Sequence, residues 1–183
     1  MRARTFAFIL LILTALVVYR LVSYNVSYQW YHEVTSTYEG PRNGTVYVFL
    51  EGGGNTYLYL PAYINESLGS LKLRPVFIDY YNAPNETGNL LLIKVPIWAE
   101  LSGFLSVTYE ANVTIEYYKN VNVREVVLQY IYSSGSVEAK PVAIANLTIT
   151  MRAGYRSKFD PYRELAKIVA EKTGELLRTS DEP

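Results

Sequence analysis

Six asparagines stand two residues before a serine or threonine: Asn25, Asn43, Asn65, Asn85, Asn112 and Asn146. Asn-x-Ser/Thr is the acceptor triplet for N-glycosylation, which attaches a bulky, solvated sugar to the side-chain amide. The chain has 11 asparagines. Its serine and threonine content would place about 1.5 of them in such triplets by chance, so six is roughly a fourfold excess. A β-rich sequence full of Thr and Asn also generates such triplets with no modification attached.

Other residue types that do chemistry are too sparse or too scattered. His32 is the single histidine, and the chain has no cysteine. A lone histidine makes neither a zinc site nor a nucleophile–base pair. Without cysteine there is no disulfide framework and no thiolate catalysis. The run Glu51-Gly52-Gly53-Gly54-Asn55 lacks the Lys and Ser/Thr of a phosphate-binding loop and reads as a glycine-rich hairpin turn. Glu110 and Glu116 share one strand face but stand about 20 Å apart at ~3.4 Å per residue, too far for paired glycosidase carboxylates. Asp79, Glu86 and Glu100 lack the alternating oxygen-ligand spacing of a calcium loop. The expectation is a non-enzyme with no catalytic residues, no metal and no cofactor. Lys and Arg (17) balance Asp and Glu (17), so no basic field points to nucleic acid.

The elements that must carry these residues begin with a hydrophobic N-terminus. Arg2 and Arg4 precede an uncharged run over residues 6–19, and Arg20 follows. A positive segment before an apolar one marks an export signal. Arg20 can snorkel to the interface, which extends the span to residues 6–22. Small residues for a cleavage site are missing around residues 18–24, which favours an uncleaved anchor over a removed signal peptide. The positive-inside rule then puts the N-terminus in the cytoplasm and the body outside.

From residue 25 to about 154 the dominant period is two. Leu105, Val107, Tyr109, Ala111, Val113, Ile115 and Tyr117 fall on one face; Ser106, Thr108, Glu110, Asn112, Thr114 and Glu116 fall on the other. Residues 143–151 repeat the pattern, with Asn146 and Thr148 on the polar side. Residues 126–132, β-branched and aromatic, read as a strand between them. Upstream, 45–50 and 56–60 read as a hairpin, and 76–81 and 90–95 as further strands around a loop at 82–89. The fold expected is all-β: an antiparallel β-sandwich of about eight strands. The 18 tyrosines suit such half-buried pleated surfaces.

After Gly154 the period changes. Asp160-Pro161 reads as an N-cap with proline at the first helical position. Tyr162, Leu165, Val169 and Leu176 form a stripe opposite Arg163, Lys167, Glu171 and Glu175, which predicts an amphipathic helix over about 161–178, weakened near Gly174. The segment 160–169 loosely resembles the one that introduces transglutaminase-like cores; that family's cysteine nucleophile is absent, so no activity follows from the resemblance.

Three segments result: a signal anchor at 1–23, an extracytoplasmic β-sandwich at 24–154, and a C-terminal amphipathic helix with a frayed tail at 155–183. They imply a single-pass, membrane-anchored, N-glycosylated cell-surface protein. Its role would be non-catalytic, as a structural or interaction module of the cell envelope, with an envelope protein or a second copy as partner. Sequons without cysteines lean toward an archaeal-like surface over a secretory route rich in disulfides. One alternative is a subunit of an extracellular filament, secreted after signal cleavage, in which residues 24–38 complete a neighbour's sheet. Another is a glycan-binding module using Trp30, Trp98 and surface tyrosines as stacking platforms.

Overall fold

A computed structural model of the chain describes residues 2–35, 44–52, 55–132 and 138–178. In chain order the elements are α1 (Arg2–Val22), β1 (Tyr24–Val34), β2 (Gly44–Gly52), α2 (Thr56–Ser70), β3 (Leu73–Ile78), β4 (Thr87–Ser102), β5 (Ser106–Asn122), α3 (Val123–Tyr132), β6 (Ala143–Gly154) and α4 (Pro161–Arg178). The strands form one six-stranded sheet in the order β1-β6-β5-β4-β2-β3. β2 runs parallel to both β3 and β4, and the remaining pairs are antiparallel.

This corrects the expected sandwich. The sheet is mixed, and its faces are covered by helices in place of a second sheet. The sequence of β4 shows why: Leu90, Leu91, Leu92 and Ile93 are all buried, and a continuous apolar run marks a strand covered on both sides. On one face, Val46, Val48, Leu91, Ile93, Val113, Ile115, Leu147 and Ile149 pack with α2 and α4. On the other, Phe49, Leu90, Leu92 and Tyr118 pack beneath α3.

Two expected strands are helices. Residues 56–60 open α2, whose Leu60, Ile64 and Leu68 are buried one turn apart. That spacing belongs to a helix, and α2 is the crossover that parallel β2 and β3 require. Residues 126–132 lie in α3, where Val123, Val126, Val127 and Tyr130 form the buried stripe. Burial of that stripe overrides the β preference of valine and tyrosine. The expected turn at 51–55 is therefore a strand-to-helix connection; Gly53 and Gly54 lie outside the described residues.

Other expectations hold. The apolar phase of 105–117 faces the core, as does that of 143–151; Ser106, expected on the outward face, is buried, where its hydroxyl accepts from Arg152 Nε at 2.8 Å. Pro75 lies on edge strand β3, and Pro96 falls at the register shift between Lys94 and Ile97, both positions where a missing N–H breaks no regular ladder.

The C-terminal helix spans Pro161–Arg178 as its cap signal implies. Asp160 Oδ1 accepts from the backbone N–H groups of Tyr162 (3.1 Å) and Arg163 (3.2 Å), and Oδ2 accepts from the Tyr59 hydroxyl (2.8 Å). Asp160→Ala should cost about 1–2 kcal/mol, read as a lower urea midpoint, while Asp160→Asn should keep most of it. Gly174 sits at a close approach of α4 to α2. A Cβ there would stand 2.5 Å from Ser67 Oγ, the hydroxyl that donates to Ala170 O at 2.8 Å. The tail at 179–183 lies outside the described residues.

Candidate functional site

Two neighbouring features stand out: an open polar sheet face, and the junction where α1 meets the sheet. The open face belongs to β1, β6 and part of β5, beyond the reach of α3. Cross-strand register fixes its rows. Asn25, Arg152 and Thr108 lie abreast; then Ser27, Thr150 and Glu110; then Gln29, Thr148 and Asn112; then Tyr31, Asn146 and Thr114.

Asn25, Asn112 and Asn146 are thus gathered on one face, all exposed. The last two are interlocked. Thr114 Oγ1 donates to Asn146 Oδ1 at 3.2 Å, and Thr148 Oγ1 donates to Asn112 Oδ1 at 3.0 Å. Each sequon's threonine therefore orients the other sequon's asparagine, leaving the amide nitrogen, the atom that carries an N-glycan, unbonded among the described residues. The other sequons lie elsewhere. Asn65 is exposed on α2, where a strand end was expected. Asn85 is exposed in the connection before β4 and accepts from Asn122 Nδ2 at 3.0 Å. Asn43 lies outside the described residues.

The residues weighed for catalysis or metal binding do not converge. His32 is exposed on β1 and stacks on Trp30, with ring centres 5.4 Å apart. Asp79 Oδ1 accepts from the N–H groups of Tyr81 and Asn82, which fixes a turn. Glu86 accepts from the Tyr47 hydroxyl. Glu116 pairs with Lys94 at 3.1 Å and accepts from Tyr118 Oη at 2.7 Å, beneath α3. Burial, and then the bond to Glu116, push the Tyr118 phenol well above its ordinary pKa, so it stays a donor. Tyr130 covers Lys94, with the ammonium 4.0 Å from the ring centre. Among the described residues no group of three or more His, Asp or Glu could hold a metal ion.

Trp30 offers little to a sugar ring. It is half-buried against the core cluster, with Lys172 5.4 Å from its ring centre and its indole nitrogen buried. Trp98 lies on β4 opposite Ala111, and its side chain lies outside the described residues.

The junction was not legible in the sequence. α1 is long and apolar enough to cross a membrane, a property that signal sequences share, and none of its window Thr5–Val22 is buried in the body. Its C-terminal end is fastened to the sheet. Gly154 N–H donates to Ser23 O at 2.9 Å, and Arg156 N–H donates to Leu21 O at 2.8 Å. The approach is so close that a Cβ on Gly154 would lie 2.3 Å from the carbonyl oxygens of Arg20 and Leu21. A glycine closing a strand signals a close backbone neighbour, but nothing in the pattern says which.

No protein-family model matches the chain, and no curated protein matches it. Among solved structures, the PelC dodecamer from Paraburkholderia phytofirmans is 15% identical with a TM-score of 0.47, over 82% of this chain and 97% of that one. A point variant of that dodecamer gives 0.46 at the same identity and coverage. A minor lipoprotein from Acinetobacter baumannii is 12% identical with a TM-score of 0.40, over 76% of this chain and 96% of the other. Likeness this distant assigns the chain neither a family nor a role.

Proposed function

We propose that this chain is a membrane-anchored, non-catalytic surface protein whose body stands outside the cell, as a structural or interaction module of the envelope. The observation that carries the reading is α1. Its apolar stretch Thr5–Val22, 18 residues or about 27 Å at ~1.5 Å each, is close to a bilayer core of ~30 Å, and none of it is buried among the described residues. Arg2 and Arg4, ahead of that stretch in the first turn of α1, orient the N-terminus to the cytoplasm. The open face over β1, β6 and β5 is then the extracytoplasmic surface, and Asn112 and Asn146 are its best-presented glycan acceptors.

For strand donation by residues 24–38, the described part speaks against it: β1 is seated in its own sheet against the whole of β6, from Tyr24↔Ala153 to Val34↔Ala143, and residues 36–38 lie outside the described residues. The outer edge of β1 is a different matter. It is 11 residues long and carries neither proline nor lysine, so it lacks the usual blunting devices and suits a partner strand.

Protease added to intact cells should digest the body and leave α1 in the membrane. Glycopeptide mass spectrometry of native protein should find sugar at Asn112 and Asn146. Protection of the body until lysis would reject the topology, and unmodified peptides at both sites would reject the glycan assignment.

A further inference from the structure

The same end of the sheet that holds α1 also carries an apolar tip with no partner among the described residues. The β4–β5 hairpin turns through Gly103 and Phe104, closed by Gly103 N–H donating to Ser106 O at 2.8 Å. Phe104 is 95% exposed, Leu101 56% and Tyr155 53%. Tyr155 ties the tip to the junction: its hydroxyl donates to Gly103 O at 2.7 Å, and its N–H donates to Leu105 O at 3.4 Å. The next residue, Arg156, bonds Leu21 of α1. Exposed cations ring this end, with Arg152, Arg156 and Lys158 on the body and Arg20 at the helix terminus.

We infer that the β4–β5 tip is a second membrane contact, with Phe104 and Leu101 seated in the bilayer interface beside α1. This rests on the anchor reading above. If α1 spans the bilayer, the membrane surface lies at its C-terminal end, where Leu21 and Ser23 are bonded to the sheet. From there the tip is two to three strands away laterally, about 10–14 Å at ~4.8 Å per strand. Exposed apolar and aromatic residues flanked by Arg and Lys are the pattern of an interfacial contact with anionic lipid. A single helix leaves it and the body fastened to it free to tilt and rotate together in the bilayer. A second contact fixes the tilt, and with it the direction in which the open face looks.

The chain has no cysteine, so single labels report one place each. Full-length protein carrying a nitroxide at Ser102→Cys, Leu13→Cys or Arg124→Cys would be reconstituted in phosphatidylcholine–phosphatidylglycerol vesicles. Collision with oxygen and with an aqueous nickel complex then reports depth. Leu13 lies mid-α1, and Arg124 follows the far end of β5. The label at 102 should give an oxygen-to-nickel ratio severalfold above that at 124, and should fall to the value at 124 when Leu101→Ser and Phe104→Ser are added. Equal ratios at 102 and 124, with 13 reading mid-bilayer, overturn the tip contact and leave the anchor intact. An aqueous reading at 13 overturns both.

Discussion

Val113→Asp should unfold the body under conditions in which Thr114→Asp does not. Val113 is 2% exposed and lies opposite Leu147 in the cluster under α2 and α4. Asp places a carboxyl group within an apolar cluster, at a cost of several kcal/mol, a large share of the ~5–15 kcal/mol a domain has. Burial raises the new carboxyl's pKa in the folded state. The deficit is therefore smallest below the unfolded value near ~3.9 and grows as pH rises through the raised folded value. Thr114 is half-buried on the open face, and its loss removes the bond to Asn146 at a cost of about 1 kcal/mol. Urea midpoints at neutral pH decide the matter: equal midpoints for the two variants would show the β5 register to be wrong.

The second large effect concerns Gly154. Gly154→Val sets a side chain against the carbonyl oxygens of Arg20 and Leu21, which close a helix and cannot step aside alone. α1 must leave the sheet, with loss of the bonds to Ser23 O and Leu21 O. At about 1 kcal/mol each, these two bonds correspond to about thirtyfold more frequent opening of the junction. In membranes, a non-specific protease should cut just past the span, near residues 23–24, and release the body correspondingly faster. Gly69→Ala, where a Cβ meets nothing within 4 Å, should release at the rate of the unaltered chain. Release of the Gly154 variant at that same rate would sink the junction as described.

What could be read from the sequence was whatever repeats locally. β5 and β6 alternate without a break, so their faces, and the side from which Asn112 and Asn146 project, followed from spacing alone. α4 announced itself through Asp160-Pro161 and its stripe. α2 was missed because the window 56–60 is short and aromatic. Extended to Leu68, the same segment shows Leu60 and Ile64 recurring every four residues. α3 was missed because valine and tyrosine favour strands on average, and the spacing of Val123, Val126, Val127 and Tyr130 lost to that average. The sandwich followed from those errors: with two helices counted as strands, a second sheet seemed needed to cover the first. The junction at Gly154 and the Lys94–Glu116 pair under α3 were hidden for another reason. Each joins elements distant in the chain, and no local period encodes which elements meet.

The pairing of β1 with β6 has a consequence for timing. The first strand after α1 lies against the last strand among the described residues, Tyr24 beside Ala153. Chains emerge at about 5–20 residues per second, and contacts between distant segments close late. During synthesis, β1 must therefore wait, tyrosine-rich and unpaired on both edges, until almost the whole body has been made. Synthesis stalled before β6 emerges would strand the chain with no native partner for its first strand, so the body completes its sheet only once its last strand has arrived.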